Sequence, residues 1–224
     1  MAAIANSLLA ALPRKDYQRL LSGLVPVDLA FGKVLYEPGK PIRDVYFPSQ
    51  SLVSLLTLVE GHLALEVGLV GRDGMVGVPI ALGIDASPVR ALVQGGGPAL
   101  RMNAARFRRE LRRSPSLQRA LQRYVYTLMA QISQTAGCNR FHVVQARLAR
   151  WLLMTRDRLR SGEFRMTHQF LSHMLGVRRV GVTEAASALQ RRKLIEYSRG
   201  NIRILDNRGL ENAACACYES LKPS

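Results

Sequence analysis

The sequence predicts an α+β chain: an N-terminal small β-barrel or sandwich, a long central helix and a C-terminal winged helix-turn-helix. Three observations carry this. Short β-rich runs punctuated by Gly and Pro fill residues 25–102, apolar residues then recur at helical spacing, and Met166–Ile195 reads as two helices around a tight turn. A chain of 224 residues with 48% hydrophobic content can bury one sizeable core or two smaller ones. The expected division is 1–114 for the barrel with its flanking helices, 115–139 for the long helix and 140–224 for the helix-turn-helix domain.

The elements follow in order. Residues 4–22 fit a short amphipathic helix through Ile4, Leu8, Leu9, Leu12 and, after Pro13, Leu20 and Leu21. Strands are expected at Val34–Tyr36, Asp44–Phe47, Leu52–Val59, Ala64–Val70, Arg90–Gln94 and Ala99–Met102. Turn signals separate them at Glu37-Pro38-Gly39, Pro48-Ser49, Glu60-Gly61, Gly71–Gly74 and Gly95–Pro98. The Gly-rich pieces lack the strand–GxxxxGK[ST]–helix setting of a phosphate loop and read as hairpin turns. A helix begins at Asn103 and is interrupted by Pro115; a longer one runs from about Ser116 to Gly137, and another from Phe141 to Leu159 with the sole tryptophan, Trp151. On the long helix Leu117, Leu121, Tyr124 and Leu128 recur at heptad spacing, continued by Gln131 and Thr135. That line fits either a two-fold seam, with Leu121, Tyr124 and Leu128 as the dimer interface, or packing onto the chain's own barrel.

Charge is distributed unevenly. Residues 1–100 carry 8 Lys+Arg and 8 Asp+Glu, whereas residues 101–224 carry 24 and 8, so the entire +16 lies in the second half. Such asymmetry is expected of a partner with a phosphate backbone. Anionic lipid is the competing polyanion, but the basic residues are spread over several segments rather than one amphipathic helix. Within Met166–Ile195, Leu171 and Leu175 face inward, small Ser172 permits close approach, Gly176 makes the turn, and Val182, Ala185 and Leu189 line the second helix. That helix opens on Arg178-Arg179, where a recognition helix would present residues to base edges. Leu194–Tyr197 and Asn201–Leu205 then flank Ser198-Arg199-Gly200, a hairpin with a basic tip.

Barrel, long helix, helix-turn-helix and wing in this order resemble the Crp/Fnr transcription regulators, those related to the cyclic AMP receptor protein and the fumarate/nitrate reduction regulator. Met166–Ile195 carries the likeness most specifically, with Tyr36-Glu37-Pro38-Gly39, Gly74-Met75-Val76-Gly77 and Arg147-Leu148-Ala149 as weaker anchors. The resemblance implies a cyclic-nucleotide-binding-like β-barrel of the jelly-roll kind, a homodimer on a palindromic double-stranded DNA operator, and RNA polymerase as a further partner. It matches Arg179 to a guanine-reading arginine, whose guanidinium can donate twice to O6 and N7. It matches Thr167 and Gln169 to phosphate-holding positions; an ordinary N-cap and a solvated polar residue are the alternatives. Arg178, Thr183, His168 and, on the wing, Arg199 complete the expected DNA contacts. The family's base-reading glutamate is Val180 here, its second recognition arginine is Glu184, and Arg178 replaces a capping serine, so the operator is expected to differ.

The effector positions depart further. The family's ribose-binding Gly-Glu pair is Gly77-Val78, its phosphate-binding arginine falls at or beside Arg90, and its adenine-contacting Thr-Ser pair is Ile132-Ser133. Gly77, Arg90 and Ser133 are therefore the candidate effector residues, and the effector is expected to be something other than cyclic AMP, since Val78 cannot accept a ribose hydroxyl. Arg90 is alternatively an ordinary surface arginine.

No iron–sulfur cluster or haem is expected: the N-terminal cysteines of the oxygen-sensing branch are missing, and three cysteines cannot supply four thiolates. No metal site is expected either, because Cys215-x-Cys217 has no adjacent His or third Cys in the sequence, Cys138 stands alone, and His62 and His142 lack a spaced partner. His168 and His173 are expected to face solvent or phosphate. No Ser/His/Asp, Cys/His or paired-carboxylate arrangement asks for catalysis. The apolar run at the N-terminus precedes its charges, the reverse of a secretory signal, and no segment reaches the roughly 20 apolar residues of a membrane span; a cytoplasmic protein is expected. The competing function is a metabolite-sensing module whose basic C-terminal half binds a protein or anionic lipid.

Overall fold

The computed structural model describes residues 6–59 and 64–222. Asn6 anchors the start. Its buried amide donates to Pro48 O and Gly74 O, both at 2.9 Å, while its Oδ1 accepts from Leu9 N–H and caps α1, Ser7–Ala10. The single helix expected over 4–22 is in fact broken. Pro13 has no N–H to continue α1 and instead precedes the first residue of α2, Arg14–Leu21; Ile4 lies outside the described residues.

Seven strands follow: β1 Val25–Leu29, β2 Val34–Tyr36, β3 Asp44–Pro48, β4 Leu52–Thr57, β5 Leu65–Val70, β6 Arg90–Gly95 and β7 Gly97–Asn103, with the short helix α3, Val78–Ala81, before β6. They form two antiparallel-paired sheets, β1-β7-β3 and β2-β6-β4-β5. β1 is unanticipated because Pro26 argues against a strand; it is tolerated because β1 is the edge of its sheet, running from Val25 opposite Arg101 to Leu29 opposite Gly97. The Gly95–Pro98 segment is not a hairpin turn. β6 and β7 belong to different sheets, and Gly96 alone carries the chain across the corner. Gly97 sits at φ 144°, where an added Cβ would come 2.9 Å from Gln50 O. The expected Glu60-Gly61 turn lies outside the described residues.

Leu29, Phe47, Leu52, Met75, Ile80 and Met102 fill the barrel core, and Phe47 meets Phe107 with centroids 6.1 Å apart at a tilt of 55°. Phe107 comes from α4, Ala104–Arg113, which Asn103 caps by accepting from Ala105 and Arg106 N–H. Ser114 then accepts from Leu117 N–H, and Pro115 opens the long helix α5, Pro115–Phe141.

α5 presents two different faces. Leu117, Leu121 and Leu128 are buried at 0%, 2% and 9%, and Tyr124 packs so closely on Gly74 that a Cβ there would overlap its phenol ring. The leucines of the heptad line are thus packed within the chain, which corrects Leu121 and Leu128 from interface to intrachain packing, while Tyr124 is half-buried against Gly74. The exposed apolar residues lie elsewhere on the helix, at Tyr126, Met129 and Ile132.

The chain divides into two compact units, Met1–Leu55 with Gly68–Ala130, and Leu56–Val67 with Gln131–Ser224, so the boundary falls inside α5. In the second unit follow α6 Val144–Leu159, β8 Glu163–Arg165, α7 His168–Leu175, α8 Arg179–Arg191, β9 Ile195–Ser198, β10 Asn201–Ile204, α9 Asn207–Ala213 and a 3-10 turn at Ala216–Leu221. α6 is its spine: Leu148, Trp151, Leu152 and Leu153 are buried, and Trp151 Nε1 donates to Glu66 at 2.9 Å. Arg147 donates to Asn139 Oδ1 at 2.7 Å and to the Leu175 carbonyl, so one guanidinium joins the ends of α5 and α7. Among the described residues no helix is long and apolar enough to cross a membrane.

Candidate nucleic-acid interface and effector pocket

Thr167 begins the interface as an N-cap, its hydroxyl accepting from Phe170 N–H at 3.1 Å. α7 ends at Gly176 with φ 61°, where Val177 N–H reaches back to Ser172 O at 3.0 Å. A Cβ at Gly176 would also come 2.6 Å from Leu65 Cδ1, a side-chain end that could move aside, so it is the backbone geometry that favours glycine. Leu171, Ser172, Leu175, Val182, Ala185 and Leu189 are all buried between the two helices as the spacing predicts. α8 then opens with Arg178 as its N-cap, supplying no side-chain cap, and Arg179 as its first residue. Arg178, Arg179, Val180, Thr183 and Glu184 are exposed on its outer side.

Two expected contacts are committed elsewhere. His168 is half-exposed, but both its ring nitrogens are turned to the protein. Its ring stacks on Tyr197 and its Nδ1 lies 3.0 Å from Thr183 Oγ1, while Nε2 is buried without a hydrogen-bond partner among the described residues. Thr183 donates to Arg179 O at 3.1 Å, leaving its oxygen to accept from Nδ1–H of a neutral ring. Burial, with the nearby Arg179 charge, lowers the His168 pKa and favours that neutral form. His168 is therefore a brace between α7, α8 and the wing. Gln169 is exposed, its Nε2 2.7 Å from His173 Nε2.

The wing is a three-stranded sheet in the order β8-β10-β9, and β8 was not legible as a strand. Ser198 pairs with Asn201 across a two-residue turn in which Arg199 and Gly200 have φ of 49° and 82°. Positive φ at both central residues is the hairpin turn whose twist matches its strands. Glycine is at ease there; an arginine is not, and the fold accepts that cost at an exposed basic tip. Met166 N–H donates to Gly200 O at 2.6 Å, fixing the tip to the entrance of α7. Arg203 is neutralised on the sheet by Glu196 at 2.5 Å, whereas Arg178, Arg179 and Arg199 are in no ion pair among the described residues.

A sequence profile of the Crp-like helix-turn-helix domain matches residues 146–213, from α6 to the end of α9. The match covers the C-terminal third of the chain, which thus carries a Crp-like helix-turn-helix domain. Solved structures share the fold across nearly their whole length. A CRP-family transcriptional regulator of Thermus thermophilus is 18% identical with TM-score 0.70, over 84% of this chain and 96% of its own. The c-di-GMP responsive global regulator CLP of Xanthomonas campestris is 16% identical with TM-score 0.69, over 86% and 99%. FixK2 of Bradyrhizobium japonicum is 13% identical with TM-score 0.70, over 86% and 98%. No curated protein matches. The chain thus shares the fold of these proteins and carries a Crp-like helix-turn-helix domain at 146–213.

At the candidate effector residues the chain's own side chains already meet one another. Gly77 N–H and the Ser87 hydroxyl hydrogen-bond to the phenolic oxygen of buried Tyr36, and burial raises that phenol to about 12, keeping it neutral. Arg90 Nε donates to Glu37 Oε2 at 2.8 Å. The adjacent pair Tyr36-Glu37 thus engages both Gly77 and Arg90, which corrects Arg90 from a free anion anchor to half of an ion pair. Val78, next to Gly77, is buried. Ser133 is exposed and belongs to the other compact unit.

The cysteines require a further correction. Cys215 and Cys217 do have a third Cys and a His beside them, because the fold brings Cys138 and His142 to the same place. Seventy-seven residues separate Cys138 from Cys215, so no local spacing could reveal this. His62 lies outside the described residues.

Proposed function

We propose that this chain is a DNA-binding transcription regulator of the Crp/Fnr type, a cytoplasmic homodimer that binds a palindromic operator sequence-specifically and does not take cyclic AMP in its barrel. The observation that carries the reading is the set of exposed, unpaired arginines: Arg178-Arg179 at the open end of α8 and Arg199 on the braced wing tip. The first pair sits where a recognition helix meets base edges and the last where a wing meets phosphate. The exposed Tyr126, Met129 and Ile132 of α5 support a dimer built away from the buried heptad line. The Tyr36–Gly77 and Glu37–Arg90 contacts support a pocket closed to a cyclic nucleotide, whose ribose and phosphate would need those same groups.

The deciding experiment is selection of bound duplexes from a random pool by the full-length protein, followed by fluorescence anisotropy on the winner. Enrichment of a two-fold symmetric site, lost with Arg179→Ala, is expected. Equal affinity for selected and random DNA would refute sequence-specific binding.

A further inference from the structure

Cys138, His142, Cys215 and Cys217 converge from two places in the chain. Cys138 lies in the last turn of α5 and His142 follows four residues later, just past the helix end; Cys215 and Cys217 stand at the start of the 3-10 turn Ala216–Leu221. Cys138 Sγ is 3.4 Å from Cys215 Sγ, Cys217 Sγ is 3.5 Å from His142 Nδ1, and all four donor atoms lie within 4.8 Å of one another. The three thiols are buried and free, and His142 is exposed, giving the cluster one side open to solvent.

The spacing is that of ligands around one ion. Zinc bonds of ~2.3 Å to sulfur and ~2.0–2.1 Å to nitrogen give tetrahedral ligand–ligand edges of roughly 3.4–3.8 Å. The observed separations, from 3.4 Å to at most 4.8 Å, bracket those edges. An iron–sulfur cluster, with bridging sulfides between its irons, holds its outer thiolates further apart. Calcium and magnesium require oxygen ligands, and three sulfurs with one imidazole select a soft or borderline cation.

A second observation is independent of the sulfurs. Arg150 of α6 is buried at 4% exposure beside Cys138 and Cys215, and its Nε and Nη1 have no hydrogen-bond partner among the described residues. A buried guanidinium without an anion is strongly unfavourable. A divalent ion held by three thiolates and a neutral imidazole carries one net negative charge, which is the missing counter-charge. Gln134 Nε2 donates to Cys217 Sγ at 2.9 Å, the kind of outer hydrogen bond that orients a metal-bound thiolate.

We propose that Cys138, His142, Cys215 and Cys217 form a binding site for a single thiophilic divalent cation, zinc foremost, that staples the C-terminal end of α5 to the C-terminal turn of the DNA-binding unit. Binding would displace one proton from each thiol to solvent, while His142 donates a lone pair from neutral Nδ1.

The test is cobalt titration of the full-length protein, purified with reductant and stripped with chelator. One cobalt per chain is expected, with the visible d–d and sulfur-to-cobalt bands of a tetrahedral sulfur-rich site, displaced by zinc. Cys217→Ser and His142→Ala should each weaken uptake by more than ~10-fold. His142 is exposed, so its variant keeps the fold and separates ligand loss from misfolding. No stoichiometric uptake, an octahedral spectrum, or undiminished affinity in His142→Ala would overturn the site. So would a Cys138–Cys215 disulfide in metal-free protein purified without reductant, which would make the cluster a redox pair instead.

Discussion

The imidazole of His168 lies nearly flat on the ring of Tyr197, centroids 4.2 Å apart and planes 20° from parallel. Because the same imidazole meets Thr183, one neutral ring ties the first residue of α7 to the recognition helix and to the wing. Protonation would place an N–H on the buried, unpartnered Nε2, next to the Arg179 charge. The folded pKa is therefore below the ordinary 6.5, and the unfolded chain binds more protons in between. Stability from this brace is fully present above that ordinary value and is lost as pH falls through the lower folded value. Denaturant unfolding of wild type and His168→Gln across mildly acidic pH checks this; the variant should lose the slope, and an identical slope would exonerate His168.

Arg179→Ala should weaken binding to the selected operator by ~1–3 kcal/mol and to random DNA much less, as for a base-reading arginine. Arg199→Ala should weaken both nearly equally and make log K shallower in log salt by about one unit, through loss of one phosphate contact. Anisotropy titrations at several salt concentrations separate the two roles. A sequence-independent loss at Arg179 would reduce it to a phosphate contact.

The two faces of α5 predict two different phenotypes. Tyr126→Glu with Met129→Glu, both on the exposed face, should yield folded monomers by sedimentation. Leu121→Ala removes a side chain buried to 2% and should instead cost ~2–5 kcal/mol of stability without changing the association state of the folded protein. Monomers from the leucine variant and dimers from the surface one would restore the heptad line as the seam.

Cyclic AMP should show no saturable binding by calorimetry at micromolar concentration and no effect on operator affinity. A ligand entering this barrel would have to displace Tyr36 from Gly77, leaving a buried hydroxyl unpaired at ~1–3 kcal/mol, and Glu37 from Arg90, a partly exposed pair that costs little to break. Cyclic GMP and cyclic di-GMP belong in the same titration series. Micromolar cyclic AMP binding that tightens DNA binding would show that the Tyr36-Glu37 pair swings aside.

What was legible in the sequence was local. The helix-turn-helix packing of Leu171, Leu175, Val182 and Leu189, its Gly176 turn and the basic hairpin tip are each encoded within about thirty residues, where spacing alone reports the face. The heptad line on α5 was visible but ambiguous, since buried spacing cannot say whether its cover is a barrel or a twin. β1 was hidden by Pro26, whose exclusion applies only to paired positions inside a sheet. His168 looked like a surface contact because its partners, Thr183 and Tyr197, lie on later elements. Of the thiol–imidazole cluster only Cys215-x-Cys217 was visible, because its halves meet only after folding.

Val180, the residue after Arg179, is 66% exposed on the outer side of α8, with no donor or acceptor to offer a base. In the major groove the feature that answers an aliphatic group is the 5-methyl of thymine. The operator's information at this step would then be written in carbon rather than in hydrogen bonds, and an operator synthesised with uracil for thymine, identical in every Watson–Crick pair, would read to this protein as a different word.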